Sequence, residues 1–254
     1  MTSRDKPPLV GAVRLITVVL LGLGWEWLAR SGLLYEGVVP TVGAVAGALW
    51  REVSGAELYR HLAITGAEVG AGFVIGVSGG TAAGILLGAF PFAGRVMQPY
   101  VNALATTPKI IFLPIAMILF GVGPASKVAL GALSGFFPVV LSTAAGMLQI
   151  RAVHIKVGRA FNFSGAQMVT KVYLPSLVWP LITGMRLGLG VTVIGVLLGE
   201  VKLSSGGLGF MAINYYNHFQ IAGLYALLIL IFLLAVSANM LMTAIGNRLA
   251  RGPS

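Results

Sequence analysis

Six hydrophobic runs, each close to the length of one bilayer crossing, limit what this chain can fold into more than any other feature. About 20 apolar residues in a helix cover the hydrocarbon core of a membrane. The 254 residues are 57% hydrophobic and only 9% charged, whereas soluble domains carry roughly 25% charged residues. The sequence therefore predicts an all-α, polytopic membrane protein. The runs are Leu9–Ala29, Leu62–Phe90, Val96–Phe120, Lys127–Leu148, Ser176–Gly199 and Ile221–Ile245.

The six runs are interpreted as a single membrane domain over residues 1–254, with its core at about 60–250 and residues 1–30 as an additional N-terminal span. A signal peptide is the alternative for the first run. The run is long for a signal peptide and no small-residue cleavage site follows it, which favours an uncleaved span. Pro40–Tyr59 has one apolar face and is predicted to be an amphipathic helix at the outer interface.

Basic residues are distributed unevenly over the connections between the runs. Cytoplasmic segments of membrane proteins are enriched in lysine and arginine. The rule selects the orientation with both termini in the cytoplasm and with the connection between the fourth and fifth runs on that side. In this orientation the inner residues are Arg4, Lys6, Arg95, Arg151, Lys156, Arg159, Lys171, Arg248 and Arg251, and the outer ones are Arg30, Arg51, Arg60 and Lys202, with Lys127 at the edge.

Glycine and proline mark the second and third runs. The glycines at 72, 76, 80, 84 and 88 recur every four residues and predict a close-packing ridge, with Glu68 one turn earlier. The prolines at 99, 108 and 114 predict a bent third span. Counted along a straight helix, Lys109 lies about 18 Å into that span, near the middle of the membrane. Arg95 is predicted to mark a short inner turn. Residues 200–220 are predicted to form an outer loop.

The inner connection between the fourth and fifth runs has the sequence pattern of two short helices. Arg151–Phe161 has one apolar face, and Asn162 follows as a residue that tolerates the left-handed conformation at a helix end. Ser164 and Gln167 have capping-box spacing for a second helix, which runs to about Tyr173. Pro175 suits the first turn of the next span. The pattern predicts helix, kink, helix and then membrane.

This connection resembles the EAA loop, or coupling loop, of ATP-binding-cassette (ABC) importer permeases, E-A-A-x3-G-x9-I-x-L-P. Lys156, Val157 and Gly158 fall on E-A-A, so a lysine replaces the family's glutamate. Asn162 falls on the glycine, and asparagine keeps the ability to adopt a left-handed backbone conformation. Val172 falls on the isoleucine, and Leu174-Pro175 match outright. The ATPase-coupling residues implied are Lys156, Val157, Gly158, Arg159, Ala160, Phe161, Asn162, Ser164, Gly165, Val172, Leu174 and Pro175.

The resemblance covers residues 40–250 and points to the permeases for sulfonates, taurine, nitrate and bicarbonate. It extends to Thr106-Thr107-Pro108-Lys109, Leu113-Pro114, Phe120-Gly121-Val122-Gly123, Gly184-Met185-Arg186-Leu187-Gly188, Glu200 and Ser204-Ser205-Gly206-Gly207-Leu208-Gly209. It implies a type I importer permease domain in the bacterial inner membrane and a pore made by two permease copies, identical or different. Two cytosolic ATPases and an external solute-binding protein complete the assembly. A small anion is the expected solute, with a thiamine-precursor pyrimidine or an aromatic acid as alternatives.

Polar groups inside the predicted spans are candidates for the translocation path, because charges in a membrane are costly and tend to be functional. For Lys109 and Arg186 a structural role is the alternative to contact with the solute. Glu68 and Glu200 are possible ionic partners for them, and the sequence leaves these pairings open. The candidates are Glu68, Pro108, Lys109, Pro114, Arg186 and Glu200.

Other function classes lack the residues that they need. There is no Walker A motif, so ATP hydrolysis is assigned to a separate subunit and the chain is not expected to be an enzyme. There is no H-E-x-x-H motif and no cysteine, and the histidines at 61, 154 and 218 are interpreted as loop residues, so we expect no metal, cofactor or catalytic site. A self-contained secondary transporter is the second hypothesis. It predicts paired intramembrane carboxylates and inverted repeats, which are not found. A membrane enzyme is the third.

Overall fold

The fold is built from helices. The computed structural model describes residues 7–33 and 37–250, and every regular element in those residues is helical, which confirms the predicted all-α class. A 3₁₀ turn at Lys109–Phe112 precedes α5, and a π turn at Val169–Tyr173 follows α8. The helices are α1 (Pro7–Arg30), α2 (Val42–Ser54), α3 (Ala56–Ala89), α4 (Pro91–Thr106), α5 (Leu113–Phe120), α6 (Pro124–Leu148), α7 (Ala152–Ala160), α8 (Gly165–Met168), α9 (Leu174–Ser176), α10 (Val178–Leu203), α11 (Leu208–Asn217) and α12 (Ile221–Ala250).

The long helices correspond to the six hydrophobic runs. In the described part of the chain, α1, α3, α6, α10 and α12 are each long and apolar enough to cross a membrane. The region of the third run is divided between α4 and α5, which are bent by 94° at the break between them. Counted as one span, this bent pair gives the sixth crossing. Arg4, Lys6 and Arg251, which contribute to the orientation argument, lie outside the described residues.

Two predicted boundaries are wrong. The amphipathic helix ends at Ser54 rather than Tyr59, because Gly55 adopts an extended conformation (φ −89°, ψ 146°) and α3 begins immediately after it. Arg95 does not mark a turn but lies inside α4. The chain turns at Phe90, which is non-helical, and Pro91 starts the next helix. Proline suits this first position because it has no N–H to leave unpaired.

The predicted outer loop at residues 200–220 is also wrong in its structure. α10 continues to Leu203, and after a turn at 204–207 the chain forms α11. Glu200, which the sequence pattern placed in the loop, lies in the last turn of α10 and is fully buried. A carboxylate beside several glycines suggests an exposed loop. The Glu200 carboxylate instead makes its hydrogen bonds inside the protein.

The chain divides into two compact units, of which the larger comprises residues 60–211 and 232–250 of the described chain. Its centre is α6, which packs against α3 on one side through the predicted glycine ridge. A Cβ atom added to Gly76 would lie 2.7 Å from the Ala132 carbonyl oxygen, and one on Gly80 would lie 2.7 Å from the Phe136 carbonyl oxygen. Backbones approach this closely only where no side chain intervenes. The structure therefore confirms the close-packing ridge.

α6 is in equally close contact with α10. A Cβ atom added to Gly195 of α10 would lie 2.6 Å from the Ser134 hydroxyl oxygen, and one on Gly184 would lie 2.9 Å from the Ser142 Cβ atom. From the other side, a Cβ atom on Gly131 of α6 would meet Val196 at 2.7 Å. Small residues on both helices thus bring α6 and α10 together along most of their length.

The smaller unit comprises the described residues up to 59 and residues 212–231. Its buried cluster consists of Val45 and Ala48 of α2 with Ala226 of α12. The Trp25 ring meets the Tyr225 ring edge-on with centroids 5.1 Å apart, and the Trp25 indole nitrogen donates to the Pro40 carbonyl oxygen at 2.9 Å. These contacts join α1, α2 and α12.

A tyrosine fastens the end of α11 to α2 within the same unit. The Tyr215 hydroxyl donates to the Glu52 carboxylate. Burial, reinforced by this hydrogen bond, raises the pKa of Tyr215 above its ordinary value. The phenol therefore stays protonated and remains a donor to Glu52 over the neutral pH range.

Candidate functional site

The first half of the basic connection ends in the geometry that the sequence predicts. α7 runs over Ala152–Ala160, and Asn162 has a left-handed backbone with φ 52°. The Asn162 N–H donates to the Arg159 carbonyl oxygen and the Phe163 N–H to the Gly158 carbonyl oxygen, both at 3.0 Å. This pair of bonds is a Schellman motif, in which a left-handed residue satisfies the last carbonyl groups of a helix. The kink at Asn162 is therefore confirmed.

The second half begins with the predicted capping box. The Gln167 N–H donates to the Ser164 hydroxyl oxygen at 3.3 Å, and the Ser164 N–H donates to the Gln167 side-chain oxygen at 2.9 Å. The helix extends to Tyr173 as expected, but Val169–Tyr173 is a wider π turn. A proline ring clashes with the carbonyl group four residues earlier, which is that of Lys171 in the case of Pro175. The wider turn ends just before this proline and accommodates the clash.

The two halves pack on each other at a glycine. Gly158 is buried, and a Cβ atom added there would lie 2.5 Å from the Met168 sulfur and 3.3 Å from both Phe163 and Val172. A small residue is therefore required at this point of α7. This close approach holds α7 as one unit with the α8 segment, which consists of α8 and the π turn that follows it.

This unit is fastened to the bundle at Leu177, which is fully buried and forms a cluster with Ile85 of α3 and Met147 of α6. Tyr173 and Leu174 pack against the same cluster. Pro175 lies in the short helical turn α9, and α10 starts at Val178 rather than at Ser176 as predicted. The connection is thus mounted on the ends of three long helices.

The outer surface of α7 is apolar and basic. Val153, Val157 and Phe161 are 49%, 47% and 73% exposed, so the apolar face predicted for α7 points away from the bundle. The basic side chains of Lys156 and Arg159 are exposed beside it. Of the other coupling-loop candidates, the structure leaves Ala160, Ser164, Gly165 and Pro175 exposed, Leu174 half-buried and Val172 buried.

The prolines of the third span produce a break rather than a smooth bend. Thr107 has an extended backbone and Pro108 a non-helical one between α4 and the 3₁₀ turn, and Pro114 lies in the first turn of α5. The depth of about 18 Å counted for Lys109 assumed a straight helix. Because α4 and α5 are bent by 94° at the break, that depth does not apply to Lys109.

Lys109 closes the broken end of α4. Its ammonium group donates to the carbonyl oxygens of Ala105 at 3.0 Å and Thr107 at 2.6 Å, and lies 5.0 Å from the centre of the Phe137 ring. A cation at a helix C-terminus compensates the negative end of the helix dipole. The ammonium therefore already has a structural role, and an ammonium group has three N–H donors.

A cavity of about 570 Å³ opens beside this break. Its walls come from the break, α6 and α10 and are mostly apolar, with the hydroxyl groups of Ser134 and Ser142 among them. Among the described lining residues, Lys109 carries the one charged side chain. The lining includes Pro108, whereas Pro114, Glu68, Arg186 and Glu200 do not line it. Arg186 instead donates to the Asn239 side-chain oxygen at 3.1 Å.

Glu200 organises a different, fully buried polar cluster. Its carboxylate accepts from the Thr65 hydroxyl and from the Gly209 N–H, both at 2.7 Å. The Leu208 N–H donates to the Thr65 hydroxyl oxygen at 2.8 Å, and the Gly207 N–H donates to the His61 Nδ1 atom at 3.0 Å. Three successive N–H groups at the start of α11 are thus satisfied by side chains. A negative charge at this helix N-terminus is also favoured by the helix dipole.

Glu68 and Lys127 complete this cluster. Both are buried, and Lys127 donates to the carbonyl oxygens of Val122 and Gly123 at 3.3 Å each. Lys127 attracts both Glu68 and Glu200. The cationic neighbour of the two carboxylates is therefore Lys127, and neither Lys109 nor Arg186 makes an ion pair with them within the described residues.

The comparisons with known proteins decide the family. The sequence profile of the "binding-protein-dependent transport system inner membrane component" matches residues 80–251, more than half of the chain. The chain belongs to this family. SsuC of Bacillus subtilis, assigned as an aliphatic sulfonates transport permease, is 30% identical over 200 residues, which are 79% of this chain and 72% of that protein. TauC of Escherichia coli, a taurine transport system permease, is 32% identical over 156 residues, or 61% and 57% of the two chains.

A solved structure supports the fold of the permease. An inward-facing structure of the MetNI methionine ABC transporter superposes with a TM-score of 0.61 at 24% identity, covering 81% of this chain and 97% of that one. This likeness shows the expected helical architecture, and the family and the relatives above show that the chain is an ABC importer permease. The family description places its members in the inner membrane.

Sequence reasoning missed three residues of the buried cluster in this permease. His61, predicted to lie in a loop, and Thr65 are in α3, and Lys127 was placed at the edge of a span. A signal was present, because His61, Thr65 and Glu68 are spaced to share one helix face that continues into the glycine ridge. Nothing in the sequence connected that face to Gly207.

We expect substitutions of Asn162 to report on the kink of the basic connection. Asn162→Gly should keep the fold because glycine adopts φ 52° without strain. Asn162→Val should cost about 1–3 kcal/mol locally, since a β-branched residue is disfavoured there. In hydrogen exchange, the amides at the end of α7 in the valine variant should exchange roughly tenfold faster or more. Equal protection in the two variants would show that the kink does not depend on this backbone conformation.

Proposed function

We propose that this permease, as a dimer, forms the membrane path of an ABC importer and is driven by two copies of a separate cytosolic ATPase. An external solute-binding protein delivers the solute. The observation that carries the proposal is the helix–kink–helix loop at 151–176, which is exposed on its outer side and mounted on the bundle at Leu177. A loop of this kind presents a fixed shape to a partner.

The basic residues support an orientation with both termini in the cytoplasm. Arg95, Arg151, Lys156, Arg159 and Lys171 then lie on the inner side, as the positive-inside rule requires. The loop is consequently in the compartment where ATP is bound. This orientation also places the turn at 204–207 and α11 on the outer side, where the binding protein docks.

The contacts of the loop provide a mechanical route into the bundle. Movement of α7 is transferred to the α8 segment, because the two approach closely at Gly158. The segment continues into Leu177, which packs on α3 and α6 and precedes α10. Closure of the ATPases on ATP would therefore displace the inner ends of α6 and α10 together. These helices line the cavity, so its access changes from one side to the other.

Co-purification is the direct test of the partnership. The purified chain alone should hydrolyse no ATP, whereas a dimer of the permease expressed with the ATPase encoded beside it should retain two ATPase copies through size exclusion. Gly158→Leu should no longer bind the ATPase, because the added side chain would clash with Met168 and displace α7. Leu177 would still hold the end of the loop against the helix bundle. Thermal melting of the variant separates loss of docking from loss of the fold. ATP hydrolysis by the chain itself, or failure of the ATPase to bind the wild type, would refute the proposal.

The cavity beside the helix break is the proposed solute path. Its apolar walls and its ammonium group suit a small anion with an apolar part, such as an alkanesulfonate. Lys109 can contact such an anion with an N–H that is not used for Ala105 and Thr107. Pro108 contributes by holding the break open, and Pro114 by starting α5.

We expect Lys109→Met to keep assembly with the ATPase and to lower uptake of a short alkanesulfonate at least tenfold, because the charge that holds the anion is lost. Methionine keeps a long apolar side chain beside Phe137. Lys202→Met is the matched control, since Lys202 is exposed and outside the cavity. Unchanged uptake by Lys109→Met, with a lower melting temperature, would assign Lys109 to closing α4 alone.

A further inference from the structure

The exposed surface of α7 has two adjoining rows of side chains. Val153, Val157 and Phe161 are four residues apart and form an apolar row. Lys156 and Arg159, three residues apart, form a basic row along one edge of it. The opposite side of α7 is the one that packs inward, through Gly158. The two rows therefore face away from the bundle together.

The sequence around this surface supplies no acidic residue to balance its positive charge. The sequence contains no aspartate or glutamate between Glu68 and Glu200, so none lies in the loop or in α4, α5 or α6. Glu68 of α3 and Glu200 of α10 belong to the buried cluster with Lys127. Glu26 forms an ion pair with Arg30 in the other unit. Lys171, also exposed, is placed over the Phe163 ring, with its ammonium group 5.1 Å from the ring centre. The charges repel one another over the range of a Debye length, about 8 Å at physiological salt.

The apolar row shows that this surface is more than a solvated basic loop. A loop that only sets the membrane orientation needs lysine and arginine but no exposed aromatic ring. Phe161 is 73% exposed on a segment outside the membrane-spanning helices. Apolar side chains rimmed by polar ones mark a surface that is covered by a protein or by a membrane, and an exposed aromatic ring beside an arginine matches the composition of protein interfaces.

We infer that the surface formed by Val153, Val157, Phe161, Lys156 and Arg159 docks into a cleft of the partner ATPase that has an apolar floor and an acidic rim. The inference rests on the proposed ATPase partnership and adds the chemistry of the partner's side. Carboxylates on the rim neutralise Lys156 and Arg159, and the floor covers the valines and Phe161. Because Lys156 stands where the resembling loops have glutamate, an ATPase shaped for glutamate would place a like charge against it. The positive charge of Lys156 therefore favours an ATPase with an acidic rim over one shaped for glutamate.

The test uses the full-length permease in nanodiscs of uncharged phosphatidylcholine and, as the probe, the ATPase that co-purifies with the wild type. The dissociation constant is measured between about 50 and 500 mM NaCl, a range over which screening becomes strong. Wild-type binding should weaken as salt rises. Lys156→Gln should weaken binding and flatten the salt dependence, and Lys156→Glu should weaken it at least tenfold. Arg159→Glu is the second charge reversal. Lys202 is exposed near the far end of α10, so Lys202→Glu should bind like the wild type.

A compensating change on the partner makes the test specific. Carboxylates of the ATPase cleft are replaced by lysine one at a time, and at least one replacement should restore binding to Lys156→Glu while weakening binding to the wild type. If Lys156→Glu and Arg159→Glu bind as tightly as the wild type at every salt concentration, the acidic rim does not exist. If the loss appears only in nanodiscs that contain anionic phosphatidylglycerol, the basic row binds lipid headgroups and the inference is wrong. Failure of the wild type to bind any ATPase would remove the proposed partnership itself, which distinguishes the two failures.

Discussion

Backbone-to-backbone packing of α6 against α3 and α10 is the interaction on which the larger unit depends. Helices in lipid gain little from burying apolar surface against each other, because the acyl chains are equally apolar. They associate when small residues allow many close van der Waals contacts. Gly76 and Gly80 of α3 and Gly195 of α10 provide these contacts along α6, where a single added methyl group would meet atoms at 2.6–2.7 Å.

The same pair of helices carries both parts of the functional site. α6 and α10 line the cavity, and the cluster of Leu177 with Met147 joins the end of α6 to the start of α10 beneath the proposed coupling loop. A displacement of the loop therefore acts on the walls of the cavity without a long chain of intervening contacts. Tight packing favours movement of the pair as one body, since a close-packed interface deforms little.

Local features of the site could be predicted from the sequence, and features that need a distant partner could not. Asn162, Ser164 and Gln167 specify their conformations within a few residues, so the helix–kink–helix loop follows from side-chain chemistry alone. The glycine ridge is likewise periodic. The hydrogen bond of Thr65 to Glu200 joins residues 135 positions apart, and no local sequence feature distinguishes such a buried carboxylate from a loop residue.

The break at Thr107–Pro108 was only half predictable. Proline indicates a distortion, but whether a helix bends slightly or breaks by 94° depends on what satisfies the freed carbonyl groups. Here Lys109 donates to two of them and also meets the Phe137 ring. The position of Phe137 on α6 is a property of the tertiary packing. The sequence shows that Lys109 is a charge in the middle of the hydrophobic run, but it does not show which groups Lys109 contacts.

Site-directed cross-linking measures the contact between the loop and the ATPase most directly. The chain contains no cysteine, so a single introduced thiol is unambiguous. In the assembled importer, Val157→Cys on the exposed row of α7 should cross-link to a cysteine at the rim of the ATPase cleft inferred above, with a yield that changes when ATP is added. Lys202→Cys should give no such product. An ATPase that remains bound but never cross-links to position 157 would contradict the assignment of this loop as the coupling element.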